Sequence, residues 1–194
     1  MRKFFLAIFL QAAAWAFPAH ALTSLPLYLD ELIDRSAVAF EGTCVSNRTE
    51  REPGSGLVVT YTTFEVHDAV KGSPASTHVI KQIGGSLPEE NFTYRVHGVP
   101  AFTVGEDYVV FLAGVSAAGF SSPMGLAQGR FAVRSTPQGR EASNGRDFRD
   151  LASRLVDKMP ERARAHLLES AGAVTAMDID DFKETVRNHV RSSR

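Results

Sequence analysis

The sequence holds one cysteine and six histidines, and their spacing sets most of the chemistry the chain can offer. His67, His78, His97, His166 and His189 stand apart from one another, and no H-E-x-x-H, C-x-x-C or H-x-H pattern occurs. No ready-made metal site is therefore spelled out. Glu65 and His67 come nearest to a ligand pair. They lie two apart on a segment that alternates like a strand, so both point to one face. His78 or His97 on neighbouring strands could complete a transition-metal site; the competing reading is a row of ordinary outward-facing strand residues. Cys44 sits in an apolar run and reads as a small buried residue, because free cysteine is among the most buried types. As a nucleophile it would need an activating neighbour, and no histidine lies near it in the chain. Gly114, Ser116 and Ala118 approach the G-x-S-x-G elbow of serine hydrolases. Ala118 replaces the second glycine, and the residues that follow read as a loop where the elbow needs a helix. Asp178, Asp180 and Asp181 run straight into an amphipathic segment, so helix capping explains them better than calcium. No catalytic residue and no cofactor is assigned from these patterns.

Contact offers more than catalysis. Residues 84–102 form a long insertion between strand-like segments, with Phe92, Tyr94 and Phe102 expected at the surface and Arg95 and His97 among them. Long loops on a rigid β scaffold are where binding residues concentrate. Phe92, Tyr94, Arg95, His97 and Phe102 are the partner-binding candidates. The alternative is that the aromatics seal the end of a β core.

These side chains must be positioned by two compositionally different parts. Residues 25–133 are rich in Val, Thr, Phe, Tyr and Gly with period-two alternation, which predicts strands near 37–45, 57–70, 78–83, 92–96, 108–113 and 126–133. In the second of these, Val58, Thr60, Thr62, Phe64 and Val66 share one face. Residues 47–56 read as a hairpin loop, and Leu29, Leu32 and Ile33 predict a short helix before the first strand. Residues 135–146 have the Pro, Gly and Ser content of a linker. Residues 147–194 carry apolar side chains at helical spacing, with Pro160 and Asp178 placed to start helices. The expected fold is mainly β: a small five- to six-stranded barrel of the oligonucleotide/oligosaccharide-binding type spanning 22–134, with a short N-terminal helix and a C-terminal helical appendage.

Three motifs carry a family resemblance. Phe40, Gly42 and Val45 form F-x-G-x-x-V. Thr62, Phe64, Val66, Val70, Lys71 and Gly72 form T-x-F-x-V-x-x-x-V-K-G. Val104, Gly105, Tyr108, Val109, Val110 and Phe111 form V-G-x-x-Y-V-V-F. Together with the segments between them they cover about half of the chain after residue 21, and their order resembles the netrin-like module of tissue inhibitors of metalloproteinases and of exported bacterial proteins with a related pattern. The resemblance implies a barrel and an extracytoplasmic setting. The animal inhibitors chelate zinc through an amino-terminal cysteine and brace the barrel with disulfides. Here Cys44 lies inside the first strand, so that mechanism is not supported.

The first residues give the expected compartment. Arg2 and Lys3 precede an apolar run from Phe4 to Phe17, and Ala19 and Ala21 stand at small-residue cleavage positions. This is the pattern of a signal peptide, 1–21, cut after Ala21. The run is shorter than the roughly 20 residues that span a bilayer, so no membrane span is expected after cleavage. Losing Arg2 and Lys3 with no acid takes the net charge from −1 to about −3. A mildly acidic chain without a basic run argues against nucleic acid as partner. The expectation is an exported, non-enzymatic binding module, periplasmic or extracellular, whose partner is an exported or envelope protein. A small exported hydrolase with an unrecognised site and a metal-binding module of strand histidines are the alternatives.

Overall fold

The computed structural model describes residues 25–193; the expected cleavage at Ala21 lies outside the described residues. Helix α1 (Leu29–Arg35) opens them. Its Leu29, Leu32 and Ile33 recur at helical spacing and are fully buried. The Glu31 carboxylate accepts from the Tyr28 N–H at 2.9 Å, which satisfies an amide that the helix leaves unpaired. Two long strands follow, β1 (Val38–Arg51) and β2 (Val58–Lys71), joined by a tight turn over residues 52–57. The expected hairpin loop at 47–56 is therefore shorter than its polar composition suggests. Residues 47–51 stay in the ladder because Thr60 and Thr62 pair with them.

Strands β3 (Thr77–Ile83), β6 (Asp107–Leu112), β7 (Arg130–Thr136), β8 (Gly139–Ser143) and β9 (Met177–Asp178) complete a seven-stranded antiparallel sheet. Its order is β3-β2-β1-β6-β7-β8-β9. Strands β4 (Gly85–Leu87) and β5 (Phe92–Tyr94) form a separate hairpin. The fold is mainly β as expected, with more strands than the five or six anticipated. The additional ones are instructive. Residues 135–146 are not a linker: they carry the β7–β8 hairpin, in which Ala142 pairs with Val133 on one side and Met177 on the other. Nor are the later helices an appendage. Helices α2 (Phe148–Leu151), α3 (Glu161–Glu169) and α4 (Ile179–Ser192) bury Phe148, Leu151, Ala163, Leu167, Phe182 and Val186 in the same core as Val109, Phe111, Phe131 and Val133. Asp178 caps α4 by accepting from the amides of Asp180 and Asp181, as expected. None of the described helices is long and apolar enough to cross a membrane.

Alternation along the strands sends side chains to two cores, one on each face of the sheet. Val109 and Phe111 face the helices, where rings of Phe131 and Phe182 meet at 4.8 Å between centroids. Tyr108, Val110 and Leu112 face the other way, onto Phe40, Cys44, Phe64, Ile80 and Phe102. Cys44 is fully buried there, and burial raises its thiol pKa above the usual value despite hydrogen bonding to Ser46 and Asn47. Gly42 marks where β1 and β2 approach most closely. A Cβ on it would lie 2.5 Å from the Glu65 carbonyl oxygen, inside a register shift between Glu41 and Gly42.

The helix-facing side also carries charge. Glu41 is only 2 % exposed. Its carboxylate receives the Lys183 ammonium at 2.7 Å and the Arg140 guanidinium at 2.6 Å. Lys183 also reaches Asp68 at 3.0 Å and Asp180 at 3.2 Å, and Arg140 reaches Asp107 at 2.9 Å. Arg187 pairs with Asp68 as well. Burial alone would depress the Lys183 pKa, but the hydrogen bonds that its ammonium donates to Glu41 and Asp68 outweigh it and hold the pKa above the ordinary lysine value. The stability this adds is complete below the ordinary lysine value and is lost as pH rises through the elevated one.

Replacing Glu41 by Leu takes the buried carboxylate from Lys183 and Arg140 and leaves them Asp68, Asp180 and Asp107, so urea unfolding should show a loss of about 1–3 kcal/mol. Adding Lys183→Leu to it should recover part of that loss; an additive further loss would contradict the pairing. The Cys44 thiol should ignore a thiol-specific aromatic disulfide at mildly alkaline pH while the protein is folded, and react once urea unfolds it. Reaction in the folded state at the rate of free cysteine would contradict its burial.

Candidate functional site

The β4–β5 hairpin and the chain that returns from it, residues 84–102, lie over the inner-core face of β1–β3 and leave a cleft of about 450 Å³ between them. The seat is specific. The Gly84 N–H donates to the Val58 carbonyl at 2.8 Å, and the Thr60 hydroxyl donates to the Gly84 carbonyl at 2.7 Å. Gly85 follows with φ +145°, where a Cβ would fall 2.4 Å from the Thr60 hydroxyl oxygen. Only glycine lets the hairpin sit this low. Its tip is held from outside by Arg51, which pairs with Glu90 at 2.5 Å and lies over the Phe92 ring at 5.4 Å. Asn91 turns the chain in the left-handed region at φ 48°, a conformation asparagine tolerates.

The return is fixed just as closely. The Asn47 amide donates to the Phe102 carbonyl at 2.7 Å while its own oxygen accepts from Thr62 at 2.7 Å. Arg130 donates to the Ala101 carbonyl at 2.8 Å. Phe102 then stacks edge-on against Phe64 at 5.0 Å and Tyr108 at 5.1 Å.

This geometry sorts the partner-binding candidates. Phe92 and Tyr94 are about two-fifths exposed on β5, and Arg95 and His97 are exposed beside them. Phe102 is corrected: at 6 % exposure it is a core residue. Its ring closes the inner core and is not the surface aromatic expected. The cleft floor was not foreseen in the sequence: Asn47, Thr60, Thr62 and Gln82 line it, with Ile83, Val96, Val99 and Pro100 on its walls. Thr60 and Thr62 do share the face of Phe64, so alternation placed them. What it did not show is that this face opens into a cleft at that end.

Arg95 is the one charged side chain lining the cleft, and no His, Cys, Asp, Glu or Lys lines it. Glu65 and His67 are exposed on β2, where the His67 Nε2 meets the Thr43 hydroxyl at 2.7 Å, which in turn donates to Asp107. Among the described residues no three metal-ligating side chains come together. His78 packs against Phe40 at 5.1 Å, and burial lowers its pKa. Ser116 lies in an exposed turn, where its hydroxyl accepts from the Phe120 N–H at 3.0 Å. A more open concavity over the β6 and β7 ends includes Glu106, Asp107, Arg130 and Arg134, but its Asp107 is already engaged by Thr43 and Arg140.

The cleft therefore presents neutral hydrogen-bonding groups, apolar walls and, among the described residues, one cation. No protein-family model matches this chain, and no curated protein matches it either.

Proposed function

We propose that this chain is an exported module of the netrin-like barrel type that binds a protein of the cell envelope or extracellular space through the rim of its β4–β5 hairpin. The observation that carries the reading is the pair Phe92 and Tyr94: two large rings, 41 % and 40 % exposed, on a hairpin anchored at both ends. Rings held out on a pre-ordered support bind with little further loss of freedom, and aromatic residues with arginine dominate contact energy at interfaces. Arg95 and His97 supply polar contacts at the same rim.

The barrel reading is supported by the segment after β6. Pro123 bridges to Leu112, the Ala113 N–H donates to the Ser122 carbonyl at 3.1 Å, and the Ser121 N–H donates to the Lys81 carbonyl of β3 at 3.1 Å. That segment thus touches β6 on one side and the edge strand β3 on the other, with the Phe40–Phe64–Tyr108 core between them. Export is supported by the n-region, apolar run and cleavage signal of residues 1–21.

Affinity capture from envelope and extracellular fractions tests the binding reading. Phe92→Ser and Tyr94→Ser should each reduce recovery of the captured partner about tenfold or more, since an interface aromatic anchor is worth on the order of 2 kcal/mol. An unchanged captured set with both rings removed would sink it. For export, mass spectrometry of extracytoplasmic material should find the N-terminus at Leu22; intact Met1 there would refute cleavage.

A further inference from the structure

Gln82 is 3 % exposed on β3, and its Nε2 has no hydrogen-bond partner. Its neighbours on the cleft floor are satisfied: Asn47 by Phe102 and Thr62, Thr60 by Gly84 and Thr49. Leaving a buried amide donor unmet costs about 1–3 kcal/mol, so a protein keeps one where something else answers it. Gln82 is one of the residues lining a cleft of about 450 Å³, within the roughly 300–1,000 Å³ of small-molecule sites.

We infer that the cleft beneath the hairpin is a binding site for a small organic carboxylate with an apolar body. Gln82 supplies a hydrogen bond to an acceptor oxygen on the floor. Val99 and Pro100 take the apolar body, and Arg95, the one charge among the described residues that line the cleft, selects an anion and repels a cation. This site uses the cleft floor, whereas the rim reading rests on the exposed rings; Arg95 and Tyr94 stand at both, so Gln82, which lines only the cleft, and Phe92, which lies outside it, distinguish failure of one from failure of the other.

The probes are phenylacetate, its neutral amide phenylacetamide, and the cation phenethylammonium, titrated at low salt into isotope-labelled protein and followed by backbone amide shifts. Phenylacetate should move the amides of Gly84, Val96 and Val99, phenylacetamide should move the same amides more weakly, and the cation should move none. Arg95→Gln should weaken phenylacetate about threefold to fivefold, as loss of an exposed ion pair does, and leave the amide unchanged. Gln82→Met should weaken both by about tenfold, the value of a hydrogen bond to a charged or carbonyl oxygen, while raising the melting temperature by removing the unmet donor. The surface change Arg95→Gln keeps the test alive should Gln82→Met fail to fold. No shift in the cleft with any probe, equal affinity of Gln82→Met for phenylacetate, or a lower melting temperature of that variant would overturn the assignment.

Discussion

A carboxylate buried on the helix-facing side of a β-sheet has to be answered by cations, and among the described residues those that reach Glu41 are Lys183 and Arg140. Lys183 comes from α4 and Arg140 from β8, so one buried charge brings together the first strand, the last helix and the strand that residues 135–146 conceal. Asp68 and Asp107 extend the set along β2 and β6. Such a network adds little net stability over an apolar alternative, because desolvation offsets much of the attraction. Its effect is positional. The apolar stripe of α4 alone could slide along a flat greasy face, whereas Lys183 has a single place to go. The four phenylalanines Phe111, Phe131, Phe148 and Phe182 then fill the space that this placement defines.

With one face of the sheet committed to helices, the other face is free to close a smaller core and end in a cleft. Along β2 the change is visible residue by residue. Phe64 is fully buried in the inner core, Thr62 hydrogen-bonds Asn47, and Thr60 carries the hairpin. The same strand thus passes from packing to hydrogen bonding over four residues. On β3, Ile80 and Gln82 repeat the transition, the first in the core and the second on the cleft floor. The cleft floor is the polar end of a core whose apolar end is full.

Much of this was legible in the sequence, and what was hidden has a physical cause. The face shared by Thr60, Thr62 and Phe64 follows from period two. The start of α4 follows from Asp178, and the exposure of Phe92 and Tyr94 from their place in the insertion between core strands. Strand β8 was hidden because its sequence, Gly139 to Ser143, is polar apart from Ala142; pairing with β7 and β9 makes it a strand, and tertiary context outweighs β propensity. Phe102 was misplaced because a residue buried from a loop leaves no periodic trace. Glu41 was locally conspicuous, an acid in the run from Ala37 to Cys44, yet its partner Lys183 lies 142 residues away. Spacing rules reach a few turns of helix; they do not reach across a chain.

The lone cysteine bears on how such a scaffold keeps its shape. The disulfide-braced module that the motifs resemble ties its barrel covalently, and this chain has no second thiol to do so. The described elements are held by other restraints. The edge strand β3 is held by Lys81, which pairs with Glu52, donates to the Ala118 carbonyl at 2.9 Å and sits under the Phe120 ring. The hairpin is held by Arg51 and Glu90, and α1 is tied to β2 by Lys71, whose ammonium donates to the Ser36 carbonyl at 2.7 Å. Each of these clamps is a long cationic side chain reaching from one element to another. Such contacts are weak singly and depend on the strands beneath them being in register. The order of dependence then runs from the buried charge outward: Glu41 sets α4 against the sheet, the sheet sets β2 and β3, and those strands seat the hairpin whose rings face solvent.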